Sequence, residues 1–515
     1  MLMSLCLAGC GGTTPASTVQ PSSSAEAPSA SSAAKKSDRT DLNIVLSGAI
    51  ATAAPQGTTK NTSVQLYQWV YEGLIFVTDQ NVVEPRIADS WKQSEDGKSY
   101  TFHIRNDITF HNGDPLTVED VVFSLNRGIS MSFMSNFVGG WIEAKATGDW
   151  EVTVTLEAPD SSFLVNLYQV KIISKAVCEK LGDKFGQDCD YAGTGPYMIT
   201  AYDPAALVKL TRYDGYYRET KGNIKDVNVH IITNASTRVT ALQTGELDFI
   251  DVPAANWAAI SSDSKFTSTV QDSAQICTLI VKWYDEASPL HDQKVRQALR
   301  FALDTATINK VAAGGLGTPA AVLCNPKYVQ GSSDMGLTTN FTYDVAKAKA
   351  LLAEAGYPDG FTLDECFLVP NTYENEAVAT IVQSYWAAVG VKIDIKVVDS
   401  TSGSAQSKAG EMDVYITNSN MVYKTSTIER ATHSRTVSTQ VAKYMNPEFD
   451  SYMDNAKAAL TEKEMVEWYA KANNLLNELS IHMPLYYMNK PYAWNKDLNA
   501  TTGVYYLYVE DWSWM

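Results

Sequence analysis

Basic charge is what this 515-residue sequence is short of: 41 Lys and Arg stand against 58 Asp and Glu, a formal net charge of −17. A surface biased that way repels phosphate backbones, which argues against nucleic acid as a partner. No uninterrupted apolar run approaches the ~20 residues of a membrane-spanning helix, so none is expected. Histidine is scarce, at six, and no two are spaced as H-x-H or H-x-x-x-H. With no H-E-x-x-H either, a helical zinc site is not indicated. The G-x-S-x-G nucleophile elbow is missing. Gly97-Lys98-Ser99 looks like the end of a phosphate-binding loop, but Lys92 stands where the leading Gly belongs, and the segment suits a hairpin turn. The carboxylates are too many to single out a catalytic pair. These absences argue for a chain that is not an enzyme, with neither cofactor nor metal.

Cysteine is also sparse, with seven residues and no C-x-x-C, so metal and thioredoxin-like readings fail. Leu7-Ala8-Gly9-Cys10 follows a short apolar stretch and looks like a bacterial lipobox, in which Cys10 is lipidated and residues 1–10 are the end of an export signal. The first Lys is Lys35, so the signal's basic start is expected upstream of Met1. Two acyl chains at ~0.8 kcal/mol per buried methylene would give lasting membrane attachment. Residues 11–40 are rich in Ser, Ala, Pro and Thr and read as a flexible tether. Its root-mean-square span is about 30 Å. Of the five remaining cysteines, Cys178 and Cys189 bracket a short polar loop and are the expected disulfide if one forms.

What the chain does have, from Asp41 onward, is a mixed α and β pattern. Alternation of apolar and polar residues predicts strands at Ser99–Arg105, Val152–Leu156 and Val391–Val397. Helices are predicted to start at Thr117, Asp292, Asp344 and Thr461, each followed by apolar residues at helical spacing. Those stripes are expected to be core. Helices and strands alternate loosely, which points to α/β or α+β lobes.

Read in order, the segments carry a more specific signal. Tyr71-Glu72-Gly73-Leu74 is followed by Glu84-Pro85-Arg86-Ile87-Ala88-Asp89-Ser90-Trp91, Asp96 to Arg105, and Phe110-His111-Asn112-Gly113-Asp114-Pro115-Leu116-Thr117. Gly193-Thr194-Gly195-Pro196-Tyr197, Arg238 to Phe249, Val295 to Leu299 and Tyr343 to Gly356 continue it. The set resembles the family 5 extracellular solute-binding proteins of ATP-binding-cassette importers, the group that includes oligopeptide-, dipeptide- and nickel-binding proteins. The resemblance implies an α/β, two-lobed periplasmic-binding-protein-like fold (type II, cluster C) with an inserted subdomain in the first lobe. By that analogy the first lobe is 41–80 with 192–281 and 491–515, the insert 81–191, and the second lobe 282–490. Gly113 and Gly195 are expected in tight turns, and Glu72 and Arg86 in internal ion pairs.

The resemblance further implies capture of a solute by hinge closure and its delivery to permease subunits, with the receptor monomeric and held at the outer face of the cytoplasmic membrane or in the periplasm. Short peptides are the leading ligand class. An oligosaccharide receptor, a peptide hydrolase and a sensor without transport are the alternatives. Peptide binders of the family commonly anchor the ligand's amino terminus with an Asp in a segment like G-W-x-x-D. The matching stretch here, Glu411 to Met421, lacks that Trp and Asp and has Asn418 and Asn420 nearby. Tyr423, Arg430 and Arg435 follow as candidate cleft residues, with a solvated loop as the alternative reading. In the first lobe the loop Ser47 to Gln56, with Ala51 and Ala53, is where the ligand backbone is expected. Phe137 to Trp141 in the insert offers an aromatic wall.

Overall fold

The computed structural model describes residues 38–325, 327, 337, 339–370, 373–420, 428, 432–438 and 440–515. Cys10, the tether up to residue 37, Tyr423 and Arg430 lie outside them. Three sheets organise the chain. The first is seven-stranded, in the order Phe266–Gln271, Lys490–Asn495, Phe249–Asp251, Asp41–Leu46, Asp226–Ile231, Leu207–Arg212, Tyr197–Asp203. Its centre, Asp41–Leu46, runs parallel to both neighbours. A strand so placed is covered on both faces, and Ile44 and Val45 accordingly enter different apolar clusters.

The second sheet is six-stranded, in the order Thr318–Pro319, His482–Tyr487, Gln275–Val281, Val414–Asn420, Phe361–Pro370, Val391–Val398. Cys277, Leu279 and Val281 face a core shared with the helices Gln293–Phe301 and Tyr373–Ala387, while Ile276 and Ile280 face the helix Glu462–Leu479. Period-two alternation thus splits one strand between two apolar layers. The third sheet has four strands, in the order Ala88–Gln93, Ser99–Ile104, Glu151–Leu156, Trp141–Gly148. Gly97, at φ +68°, makes the turn of its first hairpin.

Thr117, Asp292, Asp344 and Thr461 each cap the helix expected after them, accepting a hydrogen bond from a first-turn backbone N–H. Arg86 Nε lies 4.0 Å from Glu72 Oε1, the internal pair expected.

Four boundaries differ from expectation. Gln275–Val281 belongs to the second lobe, because it pairs there with Val414–Asn420 on one side and His482–Tyr487 on the other. Lys490 belongs to the first lobe, paired with Gln271. The chain therefore crosses between lobes at 272–274 and 488–489. The two crossings run side by side, with the Met488 N–H donating to the Gln275 carbonyl at 2.8 Å. The insert's core begins at Leu74 and ends at Ile172, whereas Ile173, Phe185 and Ala192 pack into the first lobe. The expected Cys178–Cys189 disulfide is also absent: both are free thiols. Cys178 packs on the first lobe's core near Arg127, while Cys189 lies beside Asp188.

Gly195 is not at a left-handed turn position. Its N–H donates to the Val70 carbonyl at 3.0 Å, and a Cβ there would lie 2.6 Å from the Val70 carbonyl carbon and 2.7 Å from the Trp69 oxygen. Close approach of backbone to a helix end is what demands glycine. Gly113, by contrast, has φ +89° and open space where a Cβ would stand. Gly195→Ala should cost roughly 1–3 kcal/mol or more through overpacking against backbone. Gly113→Ala should cost about 1 kcal/mol through its left-handed φ. Urea unfolding of the two variants checks the ordering, and an equal or reversed loss would contradict it.

Candidate functional site

A cavity of about 620 Å³ opens where the two crossings meet the first lobe and the insert. Seven separate stretches wall it: the loop and helix start from Val45 to Gln68, Met134 and Phe137, Gln169 and Lys171, Phe249 to Val252, the crossings at Ser273–Gln275 and Met488–Tyr492, and the C-terminal return Val504–Leu507. Positioning begins with the helix Asn61–Val70. Its Gln65 exchanges two hydrogen bonds with the Leu507 backbone, at 3.0 and 2.9 Å, and its Trp69 indole donates to the same carbonyl at 2.7 Å. The C-terminal return is thereby fastened to the first lobe. Gln56, buried at φ +67°, fixes the preceding loop to the insert, donating to the Lys171 carbonyl at 3.0 Å and accepting from Arg127 at 2.7 Å.

The wall combines apolar and neutral polar surface in similar measure, with Gln56, Gln65, Gln68, Gln169, Ser273 and Asn489 supplying amides and a hydroxyl. Tyr67, Phe137, Tyr492, Tyr505 and Tyr506 add aromatic surface. Among the described residues, Lys171, Asp251 and Lys490 are its charged ones. Lys171 donates to Gln68 Oε1 at 2.9 Å and lies 4.3 Å from the Tyr168 ring centre. Burial pushes its ammonium down to about 7, with Glu72 opposing the shift and Arg86 adding to it. Lys490 is likewise lowered by burial, against the attraction of Asp251. Asp251 accepts from Arg238 at 3.0 Å. Among the described residues no histidine, cysteine or glutamate lines the cavity, and no group of three or more His, Cys, Asp or Glu is placed to hold a metal. Such a wall can hydrogen-bond, stack and attract charge.

The residues expected from sequence fall in several places. The loop Ser47 to Gln56 does reach the cavity, but through Ser47, Gln56 and, beyond it, Thr58 and Thr59. Ala51 and Ala53 do not line it: their N–H groups donate to Ser63 and to the Gly186 carbonyl. Phe137 lines the cavity, whereas Trp141 does not. Trp141 is a correction: Gly140, at φ +88°, turns the chain so that the indole packs inside the insert, 4.9 Å from Phe163. Asn418 donates to Asn375 at 3.2 Å within the second lobe, and Asn420 stands in register with Gln275 at the crossing. Arg435 is paired with Asp454 and bonded to His433, away from the cavity wall. Asp413 accepts from the Glu365 N–H at 2.7 Å at the far end of the strand from Asn420.

Lys171 and Lys490 were not singled out in the sequence. A signal existed for the first: Val170-Lys171-Ile172-Ile173 sets a lone cation inside an apolar run, which a solvated lysine would not need. Lys490 has no such mark, because its surroundings depend on which strands meet at the crossing.

Residues 82–427 match the family model described as bacterial extracellular solute-binding proteins, family 5 Middle. The dipeptide-binding protein of Escherichia coli is 31% identical over 385 residues, covering 69% of this chain and 70% of that one. Heme-binding protein A of Haemophilus influenzae is 27% identical over 463 residues, covering 84% and 83%. Among solved structures, the substrate-binding protein CtaP of Listeria monocytogenes superposes with a TM-score of 0.82 at 22% identity, covering 93% of this chain and all of that one. DppA of Helicobacter pylori, in complex with the peptide STSA, gives 0.76 at 22% identity, covering 92% and 96%. The fold is that of the periplasmic binding proteins, and the chain belongs to the family 5 bacterial extracellular solute-binding proteins.

Proposed function

We propose that this chain is the receptor of an ATP-binding-cassette importer, that it takes short peptides or similarly sized polar solutes into the cavity at the crossings, and that closure of the lobes presents them to the permease. The observation that carries the reading is the cavity's place: both crossings wall it, so a solute seated there touches the elements about which the lobes would turn. A ligand shifts an open–closed equilibrium only through differential contact with the two states, and a wall made of hinge segments offers that. Amide side chains suit a peptide backbone, which needs alternating donors and acceptors. The names of the dipeptide-binding relative and of the peptide-bound DppA point to the same solute class. Binding without covalent turnover, a monomeric state and attachment outside the cell through lipid on Cys10 complete the proposal. No helix among the described residues is long and apolar enough to cross a membrane.

Thermal unfolding of the purified chain against libraries of di- to pentapeptides, oligosaccharides and metal chelates tests this. A solute at 100 times its Kd adds about 2.7 kcal/mol to the state it binds. Stabilisation by peptides, with a smaller radius of gyration in solution scattering, is the expected result. Stabilisation by sugars in place of peptides, or release of cleaved peptide, would overturn it.

A further inference from the structure

The cavity's charge is opposite to that of the protein around it. In a chain of net charge −17, two of the three charged residues that line this wall among the described residues are lysines, and the third, Asp251, is already held by Arg238. Lys171 is 3% exposed, and its ammonium has one hydrogen-bond acceptor, the neutral Gln68 Oε1, where it can donate three bonds. The charged groups acting on it, Glu72 and Arg86, oppose one another. Lys490 comes from the other side of the fold, on a crossing strand. Among the described residues its side chain makes no hydrogen bond or contact ion pair, and Asp251 attracts it without touching it. A buried ammonium facing neutral partners is unfavourable unless an anion completes it. Lys171 is such a group, and the half-buried Lys490 joins it in the same wall from a separate segment; among the described residues Asp251 is the only carboxylate lining that wall.

We infer that the solute of this cavity carries a carboxylate, and that Lys171 and Lys490 recognise it. The inference rests on the cavity being the solute site proposed above, and it narrows that reading to anionic or zwitterionic solutes. Among the described residues the wall has no arginine fork for bidentate seating of a phosphate, and ammonium groups beside amides suit a carboxylate whose remaining lone pairs take amide N–H donors.

Calorimetric titration with dipeptides and their C-terminal amides, matched in side chains, tests the assignment on the wild-type chain and on Lys490→Met, Lys171→Met and Lys490→Arg. Charge-assisted hydrogen bonds of this kind correspond to roughly tenfold to hundredfold in affinity. The free acids should bind wild type tighter than the amides by that factor. The preference should shrink in either Met variant and return in Lys490→Arg, with far-ultraviolet dichroism and melting behaviour confirming that each variant is folded. Equal binding of acid and amide by wild type, or a preference unchanged in both Met variants, overturns the carboxylate assignment and leaves the peptide reading standing. Binding of neutral sugars with no response to any peptide overturns both.

Discussion

Trp69→Ala should remove about 3–5 kcal/mol from the unfolding free energy of the first lobe, the range for deleting a large buried aromatic. Trp69 is fully buried in the cluster that includes Leu42, Phe249, Trp494 and Trp512. Its indole also donates to the Leu507 carbonyl at 2.7 Å. That carbonyl keeps a second donor, Gln65 Nε2 at 3.0 Å, so the variant orphans no acceptor and its loss is chiefly one of packing. Trp69→Phe should therefore lose less than half as much. The variant should act on the cavity as well, since Val504 to Leu507 form one wall and the indole helps hold that return in place. Urea unfolding followed by far-ultraviolet dichroism measures the stability term. A loss below about 1 kcal/mol for the alanine variant would show that the lobe does not depend on this contact.

What sequence made legible was local chemistry. Thr117, Asp292, Asp344 and Thr461 were readable as helix starts because a cap needs only its own side chain and the next three N–H groups. The strand Val391–Val398 was readable because alternation is a property of a single segment. The family motifs carried the fold for the same reason, many short patterns in one order. The cavity is different in kind. Gln56, Lys171, Asp251, Lys490 and Leu507 share a wall while lying up to hundreds of residues apart, and only long-range pairing brings them together. The crossings were misplaced because Gln275–Val281 looks equally apolar in either lobe, and its partners at 414–420 and 482–487 decide the matter. Trp141 failed as an aromatic wall because a single glycine turn separates an inward ring from one facing the cavity. Gly195 was expected at a tight turn, whereas closeness to the Val70 carbonyl is what the structure gives as its reason.

The largest pH effect should come from His482, at the start of the strand His482–Tyr487 in the second lobe's sheet. The residue is 4% exposed and, among the described residues, neither ring nitrogen has a hydrogen-bond partner. Burial alone pushes the imidazole down to about 4 from its ordinary 6.5. A folded value below the unfolded one means that the folded state resists protonation. The stability associated with the neutral ring is fully present above about 6.5 and drains away as pH falls through the window down to about 4, by about 3 kcal/mol in all. His111, also lowered to about 4 by burial, adds a loss of the same sign. Glu510, raised to about 7, and Asp413, raised to about 6, act in the opposite sense: their contribution is complete in acid and is lost as pH rises through those values. The wild-type stability profile between about pH 4 and 7 should consequently be shallow, since opposed linkages overlap there. His482→Phe removes one side of that balance and replaces two unpartnered nitrogens with ring carbon of similar shape. Relative to wild type, the variant should gain about 3 kcal/mol as pH falls from 7 to 4, with most of the gain below 6. Urea unfolding of both proteins at pH 7, 5.5 and 4 measures the difference, and parallel profiles would mean that His482 finds a proton acceptor or water in the folded state.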